Sequence, residues 1–218
     1  MGDTVKPPLR RDAQRNLERL VAAATEAFRE RGLQVPLEEI AQRAGVSAGT
    51  LYNRFGGRDA LIDAVMPSLV EAQVREALAR AGRVDDPWEA FTLYVSLLCE
   101  LQATSPALND AVSSRFPDAS ELTRICDAQM TDVRGLIAAA QLSGDLRTDF
   151  TTEDLAYLLW STSMVVRATA GITPHAWRRS LALSFDGLRA SAARPLPVPP
   201  MTKAEVQEAM LRLGTARR

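Results

Sequence analysis

The sixteen residues Ile40 to Phe55, IAQRAGVSAGTLYNRF, constrain this chain more than any others. They read as two short helices around Gly45, at a turn sharp enough to call for a positive φ. Ala44 is small enough for the second helix to cross close over the first. Ile40, Val46, Leu51 and Phe55 fall on one side and are expected to pack inward, with Ser47 capping the second helix. No carboxylate occurs between Ile40 and Arg58. A short helix with a hydroxyl-rich, arginine-flanked, acid-free outer face suits a polyanion, and double-stranded DNA is the expected partner.

The outer residues divide by chemistry. Ser47 stands where free N–H groups and the helix dipole attract a phosphate. Ala48 and Gly49 leave the helix tip bare, so backbone can approach a groove floor. Thr50 offers a hydroxyl to phosphate and a methyl to thymine, and Tyr52 a phosphate hydrogen bond or a stacking face. Asn53 and Arg54 are the candidates for reading bases, since asparagine suits adenine and arginine suits guanine. Arg58, opening the next helix, is expected to grip backbone phosphate. Any one of these alone would read as a solvated surface residue; their alternation around a helix-turn-helix gives them weight.

Helical periodicity runs from about Arg10 to the end without a strand pattern, which makes the class all-α. The first helix, Arg10 to Arg31, carries Leu17, Leu20, Ala24, Ala27 and Phe28 on one stripe and stops at Gly32. Pro36 fits a first helical position, followed by Glu38 and Glu39 at the dipole's positive end. Pro67 is expected to kink or divide the helix beginning at Arg58. Asp86-Pro87, Ser105-Pro106 and Thr173-Pro174 mark new helix starts. Asp118 or Ser120 opens another helix ending near Gly144, and Thr151 or Thr152 one ending at Gly171. The count is nine main helices. The Pro-rich run from Pro195 to Pro200 leads to a short terminal helix capped by Thr202 and stopped by Gly214. The boundaries expected are an N-terminal arm over 1–9, a DNA-binding domain over 10–57, a ligand-binding and dimerisation domain over 58–194, and the linker with its helix over 195–218.

Charge supports this division. The chain of 218 residues has a net charge of −1, yet the stretch up to Arg58 carries +3 and the remainder −4. No apolar run has the length of a membrane span, and the basic start lacks a signal peptide's apolar segment. Cys99 and Cys126 read as free thiols in a reducing cytoplasm. With one histidine, no phosphate loop and no zinc motif, neither an enzyme nor any cofactor or metal is expected. His175 reads as a surface residue.

Arg15 to Gly32 with Ala23-Ala24 and Phe28, then Ile40-Ala41, Ala44 to Ser47, Gly49 to Tyr52, Phe55 and Arg58 to Leu61, resemble the N-terminal domain of the TetR family of transcriptional regulators. Gly144-Asp145-Leu146-Arg147, Asp149 and Glu153-Asp154-Leu155 resemble the approach to the family's penultimate main helix. The resemblance implies a homodimeric regulator, usually a repressor, with Ser47, Thr50, Tyr52 and Arg58 on phosphates and Ala48, Gly49 and Asn53 near bases. Arg54 departs from the aromatic or histidine often found before Phe55. Pro36 replaces a hydroxyl residue that often begins the second helix.

The segment from Pro87 to Ala103 is apolar on nearly every side, so it is expected to be central. By the resemblance such a helix lines an effector pocket, whose candidate residues are Trp88, Phe91, Tyr94, Phe116, Met130, Trp160 and Met164. Plain core packing is the other reading of each. An apolar or aromatic small molecule would suit that lining. Arg167, in the apolar run Leu155 to Ile172, needs a partner: an ion pair or interface is one reading, an anchor for an acidic ligand another. The resemblance also implies that Leu155, Leu158, Leu159, Leu181, Leu183, Phe185 and Leu188 pair with their symmetry mates in a four-helix bundle. The linker is expected to hold the terminal helix away as a semi-rigid arm. An activator, or a regulator that acts without a small-molecule effector, is the alternative function.

Overall fold

The computed structural model describes residues 9–215. Its helices are α1 (Leu9–Arg31), α2 (Leu37–Arg43), α3 (Ala48–Phe55), α4 (Arg58–Ala81), α5 (Pro87–Thr104), α6 (Pro106–Ser113), α7 (Ser120–Ala128), α8 (Met130–Leu142), α9 (Leu155–Thr169), α10 (Ala176–Leu188) and α11 (Lys203–Thr215). The fold is all-α; the nearest thing to a strand among the described residues is an isolated bridge between Leu146 and Arg189. The arm expected over 1–9 lies, Leu9 apart, outside the described residues.

The apolar residues gather into two cores. The front core joins Leu20, Phe28, Ile40 and Leu51 to Leu61 and Ile62 of α4 and is completed by Leu108, Phe116 and Leu122. The rear core gathers Trp88, Phe91, Tyr94 and Val95 of α5 with Ile137, Leu155, Leu159 and Trp177. Helix α4 runs through both, so packing is continuous across the expected boundary at residue 58.

Local signals set most helix ends. Gly32 has φ +84° and Gly45 φ +67°, and each turns the chain where a side chain would be strained. Asp86 accepts from the Glu89 N–H at 2.8 Å and Ser105 from the Leu108 N–H at 3.3 Å, so both aspartate–proline and serine–proline starts hold. The Thr173-Pro174 signal does not: α10 begins at Ala176 after exposed His175, without a side-chain cap. Pro67 is buried inside one continuous α4 rather than dividing it.

The segment expected as one helix from Ser120 to Gly144 is two, parted at Gln129, which makes the total of main helices larger than foreseen. The α7 start is capped from a distance. Asp63 of α4 accepts from the N–H groups of Glu121 at 3.1 Å and Leu122 at 2.8 Å, taking up donors that the helix cannot satisfy itself.

The terminal helix is also a correction. Thr202 and Glu205 form a capping box, with the Thr202 N–H donating to Glu205 at 2.7 Å and the Glu205 N–H to the Thr202 hydroxyl at 3.2 Å. The helix then folds back on its own chain instead of standing away. The Arg115 N–H donates to the Met210 carbonyl at 3.0 Å, and Lys203 pairs with Asp127 at 3.3 Å. Gly214 does not stop α11. It lies within the helix, against the Arg115 carbonyl, where any Cβ would collide.

Candidate nucleic-acid interface and internal cleft

In α3, a 100° step per residue puts Gly49, Thr50, Asn53 and Arg54 on the arc opposite Leu51 and Phe55. Leu51 is fully buried and Phe55 half-buried, while those four, Ser47 and Tyr52 are exposed; Ala48 is half-buried. Ser47 caps the helix, its hydroxyl accepting from the Thr50 N–H at 3.2 Å and lying 2.9 Å from the Thr50 hydroxyl. Gly56, at φ +78°, closes the other end.

Arg58 is the exception. Its Nη1 turns inward, donating to the carbonyls of Leu33 at 2.8 Å and Val35 at 2.6 Å, rather than standing on the outer face to hold a phosphate. These carbonyls lie in the turn before α2, and a half-buried guanidinium beside them is a better partner than water. Arg58 therefore clamps the start of α4 to the front end.

Sequence reasoning passed over Arg19. From α1 its guanidinium donates to the Ala44 carbonyl at 2.9 and 2.5 Å and to the Gly45 carbonyl at 3.0 Å, filling the orphan acceptors where α2 stops. The signal available was a cation one turn before Ala23 on a helix that must cross the turn. Arg43 faces Glu30 and Glu39, each at 2.8 Å, and these hold it above the usual arginine value. Arg31, and with it Arg43, holds Glu39 below the usual carboxylate range. Both arginines are thus engaged beside the interface, leaving Arg54 as the exposed cation of α3 itself.

Behind the front core lies a cleft of about 150 Å³ between α4, α5, α7, α8 and α9, with α11 along its side. Val70, Leu98, Leu155 and Leu159 give it apolar walls, and Arg115, Arg134 and Glu153 bring charge. Of the expected pocket residues, Tyr94 and Met130 line it. Burial pushes the Tyr94 hydroxyl and the Cys126 thiol, also in the wall, above their usual values.

The other expected pocket residues are placed elsewhere. Trp88 packs on Phe91 at 6.0 Å and edge-on to Phe185 at 6.3 Å, with the Arg189 guanidinium 4.0 Å above its ring. Phe91 meets Phe150 edge-on at 5.6 Å, and Phe116 is sealed in the front core. Trp160 donates its indole N–H to the Ser113 carbonyl at 3.0 Å. Met164 is 65% exposed on the outside of α9. Arg167 pairs with Asp110 of α6 at 2.5 Å, away from the cleft. These side chains fill space between helices; the gap opens one to three turns further along α5, where α7, α8 and α11 approach.

An exposed recognition helix on a cationic turn, carried by a larger helical body with an internal cleft, defines a helix-turn-helix DNA-binding regulator. The comparisons with known proteins agree. Residues 20–65 match the bacterial regulatory proteins of the tetR family, and residues 86–190 the C-terminal domain of SbtR-like transcriptional regulators. The chain belongs to the TetR family of transcriptional regulators. Among relatives, the probable regulator ArpR of Pseudomonas putida is 32% identical over 106 residues, 48% of this chain and 49% of that protein. RaaS of Mycobacterium tuberculosis is 30% identical over 114 residues, 52% of this chain and 51% of its own. The chain thus spans about half the length of the curated relatives it matches. The fold is similar to that of FadR from Bacillus subtilis in complex with stearoyl-CoA, at TM-score 0.58 and 16% identity over 82% of this chain and 100% of that one. RolR with its ligand resorcinol gives 0.55 at 18% identity over 93% and 96%. These relatives are regulators, not enzymes. Among the described residues no helix is long and apolar enough to cross a membrane, and no cluster of histidine, cysteine and carboxylate side chains suits a metal.

Proposed function

We propose that this regulator acts as a homodimeric repressor, released from its operator when a small, largely apolar effector enters the cleft. Residues 10–57 would form the DNA-binding domain and 58–194 the effector-binding and dimerisation domain. Two copies of α3 must sit about 34–36 Å apart to enter successive major grooves. Ser47, Thr50 and Tyr52 would hold phosphates while Ala48, Gly49, Asn53 and Arg54 meet the groove. The dimer face would be the outer side of α9 and α10. Leu155, Leu158, Leu159 and Leu181 are already sealed in this chain's own core, which leaves exposed Tyr157, Met164 and Leu183 to cover.

One observation carries the coupling between cleft and DNA. Helix α7, whose Cys126 and Asp127 form part of the cleft wall, is capped by Asp63 of α4, and α4 begins at Arg58, clamped to the turn before α2. Cleft and recognition unit thus share one helix. An effector with different affinities for two positions of α4 needs nothing more. That FadR and RolR were solved with small molecules supports an effector here as well.

Fluorescence anisotropy on a mapped promoter fragment, as a function of salt, tests the DNA face. Arg54→Ala should weaken binding by about 1–3 kcal/mol and relax the preference for guanine at the base it reads, with the slope of log K against log[salt] little changed. Arg58→Ala should weaken binding with the slope unchanged, because its role is to hold α4. Wild-type affinity and sequence preference in Arg54→Ala would refute the assigned face.

A further inference from the structure

We infer that the chain's own C-terminal helix roofs the cleft, and that the ligand beneath it is a compact apolar molecule bearing one hydrogen-bond-donating hydroxyl. The inference rests on the cleft being the effector site and adds what closes it and what it selects. Helix α11 lies beyond both segments matched to known families, which end at residue 190. Yet Lys203, Val206, Gln207 and Met210 all stand in the cleft wall.

The seat of α11 is that of a lid rather than of a core helix. Only Met210 and Gly214 of its thirteen residues are buried. The strap leading to it, residues 195–200, is exposed throughout. What holds it is the Lys203–Asp127 ion pair at 3.3 Å, the bond from the Arg115 N–H to the Met210 carbonyl, and Gly214 laid on the Arg115 carbonyl. Few buried apolar contacts and a polar latch mark an element that opens at a free energy well below that of global unfolding.

Size and polarity define the ligand. A space of about 150 Å³ admits a single substituted ring; an apolar cavity of that size in another protein takes benzene. Gln129 stands in the wall at the break between α7 and α8, and its Oε1 is buried with no donor. A ligand hydroxyl that reached that oxygen from the cleft would supply the missing donor. Tyr94, 1% exposed and also in the wall, brings a hydroxyl that can donate in return. Of the charged residues in the wall, Lys203 and Asp127 pair with each other, which leaves Arg115 and Arg134 against Glu153.

The test uses the full-length chain, with phenol and its near-isostere toluene as probes and a thiol-disulfide reagent as the reporter of the roof. Cys126 lines the cleft, while Cys99, buried beside Thr162 and pushed up by burial to about 11, is the internal control. Gly214→Val should speed Cys126 labelling at least about tenfold over Cys99, and the milder surface change Lys203→Glu a few-fold, the range of one exposed ion pair. Phenol should slow that labelling, and should bind wild type about fivefold tighter than toluene, the range of one net hydrogen bond. Gln129→Leu should erase that preference. Wild-type labelling rates in both lid variants overturn the roof; equal affinity for phenol and toluene overturns the ligand class. If phenol binds as expected but leaves operator affinity unchanged, the roof and ligand class stand and the release mechanism falls. If another compound releases DNA while the lid variants label like wild type, release stands and the roof falls.

Discussion

The ion pair between Asp110 and Arg167 offers the sharpest test of how body and front end are joined. Asp110 is nearly buried, with its side chain 8% exposed, and its two oxygens face different parts of the molecule. Oδ1 accepts from Arg167 of α9 at 2.5 Å, and Oδ2 from the Leu33 N–H, in the turn before α2, at 2.8 Å. The Leu33 carbonyl is in turn held by Arg58. At about 4 Å between charge centres and an effective dielectric near 20, the gross attraction is about 4 kcal/mol. Burial of the carboxylate offsets much of it, and Arg167, 37% exposed, is partly screened by water, so a coupling energy of about 1–2 kcal/mol remains. Arg167→Met, which leaves the carboxylate buried without this partner, should cost about 2–3 kcal/mol and lower Tm by about 4–12 °C for a chain of this size. Asp110→Asn keeps an acceptor for the Leu33 N–H, so added to Arg167→Met it should recover part of that loss. Urea denaturation of the four proteins of the double-mutant cycle measures the coupling. Additivity within about 0.3 kcal/mol would show that the pair carries no coupling and that Asp110 merely caps the turn.

Arg19→Met removes the donors on the Ala44 and Gly45 carbonyls; it should cost about 1 kcal/mol, seen as a Tm drop of about 2–4 °C, because water reaches part of that site. Asp149 is held below the ordinary carboxylate range by its bond from Arg147, at 2.6 Å. A depressed folded-state value stabilises above the unfolded value and is lost as pH falls through the folded one. The stability advantage of wild type over Asp149→Asn should therefore be full at pH 7 and shrink below about pH 4, as urea titrations at several pH values would record. Leu183→Asp, at an apolar position 63% exposed on α10, should leave the monomer folded and shift sedimentation equilibrium toward it; an unshifted dimer would move the interface elsewhere.

Signals carried within a few residues were legible. Gly45 turned as its place between two helices required, and Asp86 and Ser105 capped the helices that follow. The exposed arc of α3 follows from the 3.6-residue period alone. Signals that depend on a distant partner were not. Nothing near Ser120 shows that its helix is capped by Asp63, and Gln129 parts α7 from α8 without a glycine or proline. Arg58 followed the charge pattern of a phosphate ligand, yet two carbonyls lie within its reach once α4 packs beside the turn. In α5, apolar on nearly every side, periodicity cannot show which face meets a gap. Trp88 and Phe91 meet side chains from α10 and the loop before α9, while Tyr94 and Leu98 meet the space left by α7, α8 and α11. The proline run implied a spacer, but only the landing of Gly214 on the Arg115 carbonyl shows where the spacer leads.

Packing and polar contacts do not transmit a displacement equally. The apolar surfaces of the front core, which holds Ile62 of α4 and Leu122 of α7, tolerate a slide of a fraction of an ångström at small cost, since dispersion is non-directional. The cap that Asp63 places on α7 does not, because two charge-assisted hydrogen bonds to adjacent N–H groups weaken steeply with distance and angle. Asp59, one turn earlier on α4, also receives the Asp118 N–H at 3.4 Å, so α4 is held to the segment leading into α7 at two points. In the proposed mechanism, a ligand that moves α7 outward must pull the first two turns of α4 with it or break those bonds. Arg58, at the head of those turns, then moves against carbonyls that the front end fixes. Asp63→Asn, which weakens the cap but keeps its shape, should therefore leave operator affinity nearly intact while blunting release. Asp63→Leu removes the cap altogether and should also destabilise the fold.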